Sequence, residues 1–189
     1  MKALIVNGSP RARGTTSTLV AVLSKLLESK GYEIDRFDIT FLKIEPCSEC
    51  LSCLLKEGCI IIDPMIIIYE RLKQADLVIL ATPVFFSGPT AQMKAFIDRL
   101  QAFWAAKNRL KRKLRNKKAA TIGLVVGARG SEIDERNTVS IFKAAADAFE
   151  GEYLGTFSYL KAENPQDLPP EPVLRKELLT FLEGVGLIK

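Results

Sequence analysis

The chain has 189 residues, 48% of them apolar and 26% charged, with a formal net charge of +5. That is ordinary globular composition at the length of one domain with a single core, rather than two independent ones. The most apolar run, "CIIIDPMIII", is interrupted by Asp63 and Pro64 and is too short to span a bilayer, and the opening "MKALIVNGSP" lacks the pattern of a secretory signal, so a cytoplasmic protein without membrane contact is expected.

In chain order, short β-rich runs alternate with helical ones. "KALIV" (2–6) is a continuous apolar strand, the form taken when both faces of a sheet are covered. Residues 17–31 carry Leu19, Val22, Leu23, Leu26 and Leu27 at helical spacing and end at Gly31. "YEIDRFDI" alternates as a strand, and a cysteine-rich segment of about 43–62 follows it. Asp63 and Pro64 then open a helix over 65–75. Beyond it the spacing predicts a strand at 76–83, a helix at 90–104, a strand at 119–127, a helix at 137–149, a strand at 153–160 and a last helix from Pro172 to Glu183. Such alternation with short links predicts an α/β fold, a five-stranded parallel sheet in the doubly wound, flavodoxin-like order 2-1-3-4-5 with helices on both faces, spanning 1–189 as one domain. Ligands of such sheets lie at the carboxyl ends of the strands, so the segments after strands one, three and four are where function is expected.

After strand one, "NGSPRARGTTSTL" supplies Gly8, Ser9, Arg11, Gly14, Thr16, Ser17 and Thr18: hydroxyls, open backbone and a helix N-terminus, the needs of a phosphate. It lacks both the Lys-Ser/Thr ending of a Walker loop and a G-x-G-x-x-G, so one terminal phosphate, as on FMN, is the better match. The same residues would also serve simply to cap a helix and turn the chain. After strand three come Pro83, Val84, Phe85, Phe86, Ser87 and Gly88, an apolar wall with backbone donors suited to an isoalloxazine ring. After strand four, Gly127, Ala128, Arg129 and Gly130 form a second donor-rich loop.

Taken in that order, "GSPRARGTTS", "TPVFFSGPTAQMKAFIDR" and "GARG" resemble the three flavin loops of the NADPH-dependent FMN reductase superfamily, over most of the chain up to about residue 160. The resemblance implies FMN as cofactor, with NAD(P)H as a co-substrate. Phe85 departs from it, standing where relatives usually carry a tyrosine. Lys94, Asp98 and Arg99 belong to the middle motif but also suit intrahelical pairing or an oligomer contact, and are not assigned to the site.

All four cysteines, Cys47, Cys50, Cys53 and Cys59, fall in "PCSECLSCLLKEGC", and the chain has no histidine. In a reducing compartment such a cluster is more often metal-binding or redox-active than a set of structural disulfides. Four close thiolates suit a [4Fe-4S] cluster; a zinc site favours two C-x-x-C pairs separated by a longer insert; a redox disulfide or metal-free thiols packed as small apolar groups also remain. The C-x2-C-x2-C-x5-C spacing resembles that of the iron-sulfur flavoproteins, one branch of the superfamily. That likeness implies a cluster beside FMN and a homodimer or homotetramer in which one subunit's cluster serves another's flavin. The functions weighed are therefore an iron-sulfur flavoprotein exchanging electrons with ferredoxin or NAD(P)H, a cluster-free NAD(P)H-dependent FMN or quinone reductase, and a non-enzymatic flavodoxin-like carrier.

The basic run "KNRLKRKLRNKK" (107–118) reads first as a solvated face and loop, then as a contact for an anionic cofactor or an acidic protein such as a ferredoxin. Nucleic acid comes last, because no recognised module or stacking aromatics accompany the run.

Overall fold

A computed structural model describes residues 1–188. Five parallel strands, β1 (Lys2–Asn7), β2 (Glu33–Asp38), β3 (Leu77–Pro83), β4 (Ala119–Val126) and β5 (Gly151–Tyr159), form one sheet in the order β2-β1-β3-β4-β5. The order expected from the sequence is the order observed. Strand side chains alternate between the faces. Leu4, Val6, Val78 and Leu80 therefore enter one buried layer, and Ala3, Ile5, Ile79 and Leu124 enter the other. The second layer is roofed by α1 (Thr15–Ser29) and α6 (Glu171–Gly184). The first is roofed by α2 (Met65–Gln74), α3 (Ala91–Arg99), α4 (Gln101–Asn108) and α5 (Glu132–Ala148). With helices on both faces, the central strands have to be apolar throughout, as "ALIV" and "LVILA" are.

Gly31 does what the sequence suggests. It sits just past α1 at φ +84°, and its amide bonds back to the Glu28 carbonyl, a closure that favours a residue without a Cβ.

Two helices differ from expectation. The helix expected over 90–104 is two, broken at Leu100. The Arg99 carbonyl at the break accepts a 2.6 Å hydrogen bond from the buried Tyr69 hydroxyl, a long-range partner that local periodicity cannot reveal. The helix expected from 137 begins at Glu132, because Ser131 caps it by accepting from the Asp134 amide and Glu132, Asp134 and Glu135 sit against the positive end of its dipole.

The basic run is not one solvated face either. Helix α4 ends at Asn108, and Arg115 turns inward, where it donates to the Leu72 and Ala75 carbonyls at the end of α2. Lys107 pairs with Asp147, whereas Lys111, Arg112, Lys113, Lys117 and Lys118 are exposed.

Candidate functional site

The three loops predicted from the sequence meet at the carboxyl edge of the sheet. Ser9, Arg11, Thr16, Pro83, Val84, Phe85 and Ala128 line an inner cavity of about 170 Å³, together with Thr15 and Glu163. An outer cavity of about 490 Å³ shares Val84, Phe85 and Ala128 with it and adds Phe86, Ser87, Gly127, Arg129 and Gly130, with Ser131, Asp134 and Leu160. The shared walls make the two one continuous groove.

The inner end opens onto the start of α1. Residues Thr15, Thr16 and Ser17 at the start of α1 are buried, the N-cap is Gly14 without a side chain to cap it, and no acidic residue occupies the first turn. The first amides of a helix have no partner within it, so a buried start without a cap leaves donors for a ligand. Asn7, the buried last residue of β1, fixes the loop: it donates to Asp38 at 2.6 Å and to Ser17, and accepts from the Ser9 amide. Sequence reasoning missed Asn7, although an amide closing an apolar strand is a visible signal.

Four predicted residues shape the groove without lining it. Ser17 donates to the Arg11 carbonyl, as does the Gly14 amide, and the Thr18 amide closes on Gly14. Gly88 exchanges two backbone hydrogen bonds with Phe85. Arg11 itself is held by the Glu163 carbonyl at 2.7 Å, in the connection before α6.

At the outer end, Phe86 (φ +47°) and Ser87 (φ +61°) form the tip of the Phe85–Gly88 turn. Left-handed backbone costs a non-glycine residue on the order of 1 kcal/mol, so the tip is strained. Ser87 bonds Asp134 across the groove at 2.5 Å, and Phe86 is fully exposed at the rim. Asp134 precedes the helix expected from 137; its place in the first turn of α5 is what carries it there.

The cysteine segment forms a separate cavity of about 370 Å³, which Cys47, Cys50, Cys53 and Cys59 all line beside Asp98, Arg99, Gln101 and Ala102. Among the described residues none lines both this cavity and the groove. All four cysteines are free, Cys47 and Cys50 exposed and the other two partly buried. Burial pushes the Cys53 thiol up, helped by the three other sulfurs, while a hydrogen bond with Ser52 brings Cys50 down. Among the described residues no three Cys, Asp or Glu side chains stand close enough to hold a single metal ion. A cubane assigns one thiolate to each of four corners, so its sulfurs stand farther apart than those around one ion. Four thiolates lining one cavity are a donor set that suits such a cluster.

Arg99 is the other residue the sequence did not assign. Its side chain is fully buried and bonds Asp63 through both terminal nitrogens, at 2.6 and 3.3 Å. Burial works against its charge, but the carboxylate beside it keeps it firmly protonated. Lys94 and Asp98 form the intrahelical pair their spacing predicts.

Residues 1–152 match the protein family described as NADPH-dependent FMN reductase. The chain belongs to that family. Among curated members, an iron-sulfur flavoprotein of Archaeoglobus fulgidus is 41% identical over 100 residues, covering 53% of this chain and 46% of that protein. Another, from Methanocaldococcus jannaschii, is 31% identical over 132 residues, covering 70% and 66%. The chain thus spans roughly half to two-thirds of these relatives' length. A solved NAD(P)H:quinone oxidoreductase from Methanothermobacter marburgensis superposes with a TM-score of 0.69 over 99% of this chain and 94% of that one, at 16% identity, a likeness of fold. As an FMN reductase family member, the chain carries "GSPRARGTTS", "TPVFFSGPTAQMKAFIDR" and "GARG" at the carboxyl ends of β1, β3 and β4.

Proposed function

We propose that the chain is a single FMN-binding redox domain of the iron-sulfur flavoprotein type, with 43–62 as a cysteine-bearing insert. The FMN phosphate would sit at the α1 N-terminus, on Ser9, Thr16 and the free amides, with Arg11 at its edge. The isoalloxazine would lie in the outer groove between Phe85 and the 127–130 loop. The observation that carries this reading is the buried, uncapped start of α1 opening onto the same groove as the aromatic wall. Bound FMN accepts a hydride or single electrons, and a [4Fe-4S] cluster on the four cysteines exchanges one electron at a time.

The chain's own contribution is then position and field. Phe85 would exclude water from one side of the ring, and the Ala128 and Arg129 amides would offer donors to its polar edge, those of Gly127 and Gly130 being taken by the Tyr159 and Leu160 carbonyls. Arg129 would bring positive charge to the groove and favour an anionic reduced flavin there. The chain has no histidine, and the reading needs no acid or base from a side chain. Electrons would come from a ferredoxin or from NAD(P)H. The exposed lysines after α4 favour an acidic protein donor. A homodimer or homotetramer is supported by exposed apolar side chains on the cysteine segment and α2, with Leu55 and Ile62 at 87% and 88% exposure.

Anaerobic purification followed by iron, sulfide and flavin analysis tests the proposal. One FMN with about four irons and four sulfides per chain is expected. Flavin without iron after attempted reconstitution moves the protein to cluster-free NAD(P)H:flavin or quinone reductases. Flavin and cluster together with negligible NAD(P)H oxidation, but rapid exchange with reduced ferredoxin, make it a carrier.

A further inference from the structure

The cysteine segment leaves the fold after β2 and returns at α2, and its two arms are joined at the base by one side chain. Arg99 donates through Nη1 to the Glu45 carbonyl at 2.8 Å on the outgoing arm, and through Nη2 to the Ile61 carbonyl at 3.3 Å on the returning arm. Both nitrogens also bind Asp63. Asp63 completes the ring by accepting from the Glu45 amide at 3.0 Å and from the Met65 amide at 2.9 Å. Glu45 stands two residues before Cys47, and Ile61 two residues after Cys59. The outermost cysteines therefore leave from two points tied to one planar guanidinium.

We propose that Arg99 is a positioning residue for the four-cysteine site: it fixes the separation of Cys47 and Cys59 before any metal arrives, and sets a buried positive charge beside the thiolates. The first half stands on the hydrogen bonds alone; the second rests on the cluster reading. The rigid fork matters, since a lysine offers a point charge and cannot bridge both carbonyls and a carboxylate in one plane. Nε of Arg99 is buried and has no partner among the described residues, which leaves a donor on a side chain that lines the cavity. Hydrogen bonds and charge near the sulfurs are what tune a cluster's potential.

The test compares wild-type, Arg99→Lys, Arg99→Met and the double variant Arg99→Met/Asp63→Asn, each iron-free and saturated with FMN. The double variant removes the carboxylate that the single one strands, and serves where the single variant does not fold. Hydrogen exchange of the Glu45 and Met65 amides, both held by Asp63, should be at least about tenfold faster in every variant, Arg99→Lys included, while β1, β3 and β4 keep wild-type protection and FMN affinity is unchanged. Reconstitution with iron and sulfide should fall several-fold in yield, and the cluster that forms in Arg99→Met should have a lower midpoint potential.

Arms that stay as protected as in wild type, within an intact sheet, overturn the proposal. So does a wild-type Glu45 amide that exchanges as fast as the tip at 48–58, a result that needs no variant. If wild-type protein takes up no iron yet the arms loosen in the variants, the cluster reading fails and the positioning role stands. If wild-type loads fully and every variant matches it in exchange and potential, the positioning role fails and the cluster reading stands.

Discussion

Ser87 and Asp134 lie 47 residues apart in sequence, and the serine hydroxyl donates to the carboxylate at 2.5 Å, tying the strained turn after β3 to the first turn of α5. This contact spans the groove from the apolar wall to the start of α5. A partly exposed hydrogen bond of this kind contributes about 0.5–1 kcal/mol. Ser87→Ala should therefore weaken FMN binding by about two- to fivefold with little change in melting temperature, as read by fluorescence titration and thermal denaturation. An unchanged affinity would mean the turn holds its strained shape unaided.

Gly8 tests the other end of the groove. A Cβ there would stand 2.9 Å from the Met93 Cβ and 3.1 Å from the Thr90 hydroxyl, which itself holds the Gly8 carbonyl at 2.8 Å. Gly8→Ala has to push the first loop away from α3, at about 1–3 kcal/mol for an overpacked site. Both stability and FMN affinity should fall in this variant, unlike Ser87→Ala.

The four thiols should react unequally in metal-free protein. Cys50 is exposed and its thiol is brought down mainly by Ser52; Cys53 is partly buried and pushed up, chiefly by that burial. The thiolate is the nucleophile. Alkylation followed by peptide mass spectrometry near pH 8 should label Cys50 first and Cys53 last, and raising the pH should accelerate Cys53 proportionally more. Equal rates at all four would contradict the cavity as described.

Asp63 should make stability depend on acid. Burial pushes its carboxyl up, but hydrogen bonds from Arg99 and from the Met65 and Glu45 amides outweigh it, and the group lies below its ordinary value. Its folded-state pKa is depressed, so its contribution is complete above the unfolded value of about 4 and is lost as pH falls through the folded one. Wild-type protein should weaken through that acid range. Asp63→Asn should be less stable at pH 7 and lose less on acidification, by urea denaturation at several pH values. Asp63→Ala should be worse, by about 3–5 kcal/mol at neutral pH, because it strands a buried guanidinium.

Much of this was legible in the sequence for a physical reason. A central strand buried on both faces must be apolar, and a turn from strand into helix takes small, hydroxylic residues, so "LVILATP" and "NGSPRARG" declare themselves locally as strand and turn. The Leu100 break, the burial of Arg115 and the role of Arg99 were not legible. Each depends on a partner far along the chain: Tyr69 for the break, the carbonyls of Leu72 and Ala75 for Arg115, and Glu45, Ile61 and Asp63 for Arg99. A long-range hydrogen bond leaves no period behind it. Asn7 was legible in principle, as a polar residue ending an apolar strand.

The closure between Glu45 and Asp63 separates the geometry of the sheet from the length of what hangs beyond it. Once both ends of a loop are held together, adding residues between them costs only slowly rising entropy. The stretch 48–58 is thus a place where evolution or a designer can lengthen, shorten or replace the thiol-bearing tip while the groove, which shares no wall with it, is inherited intact.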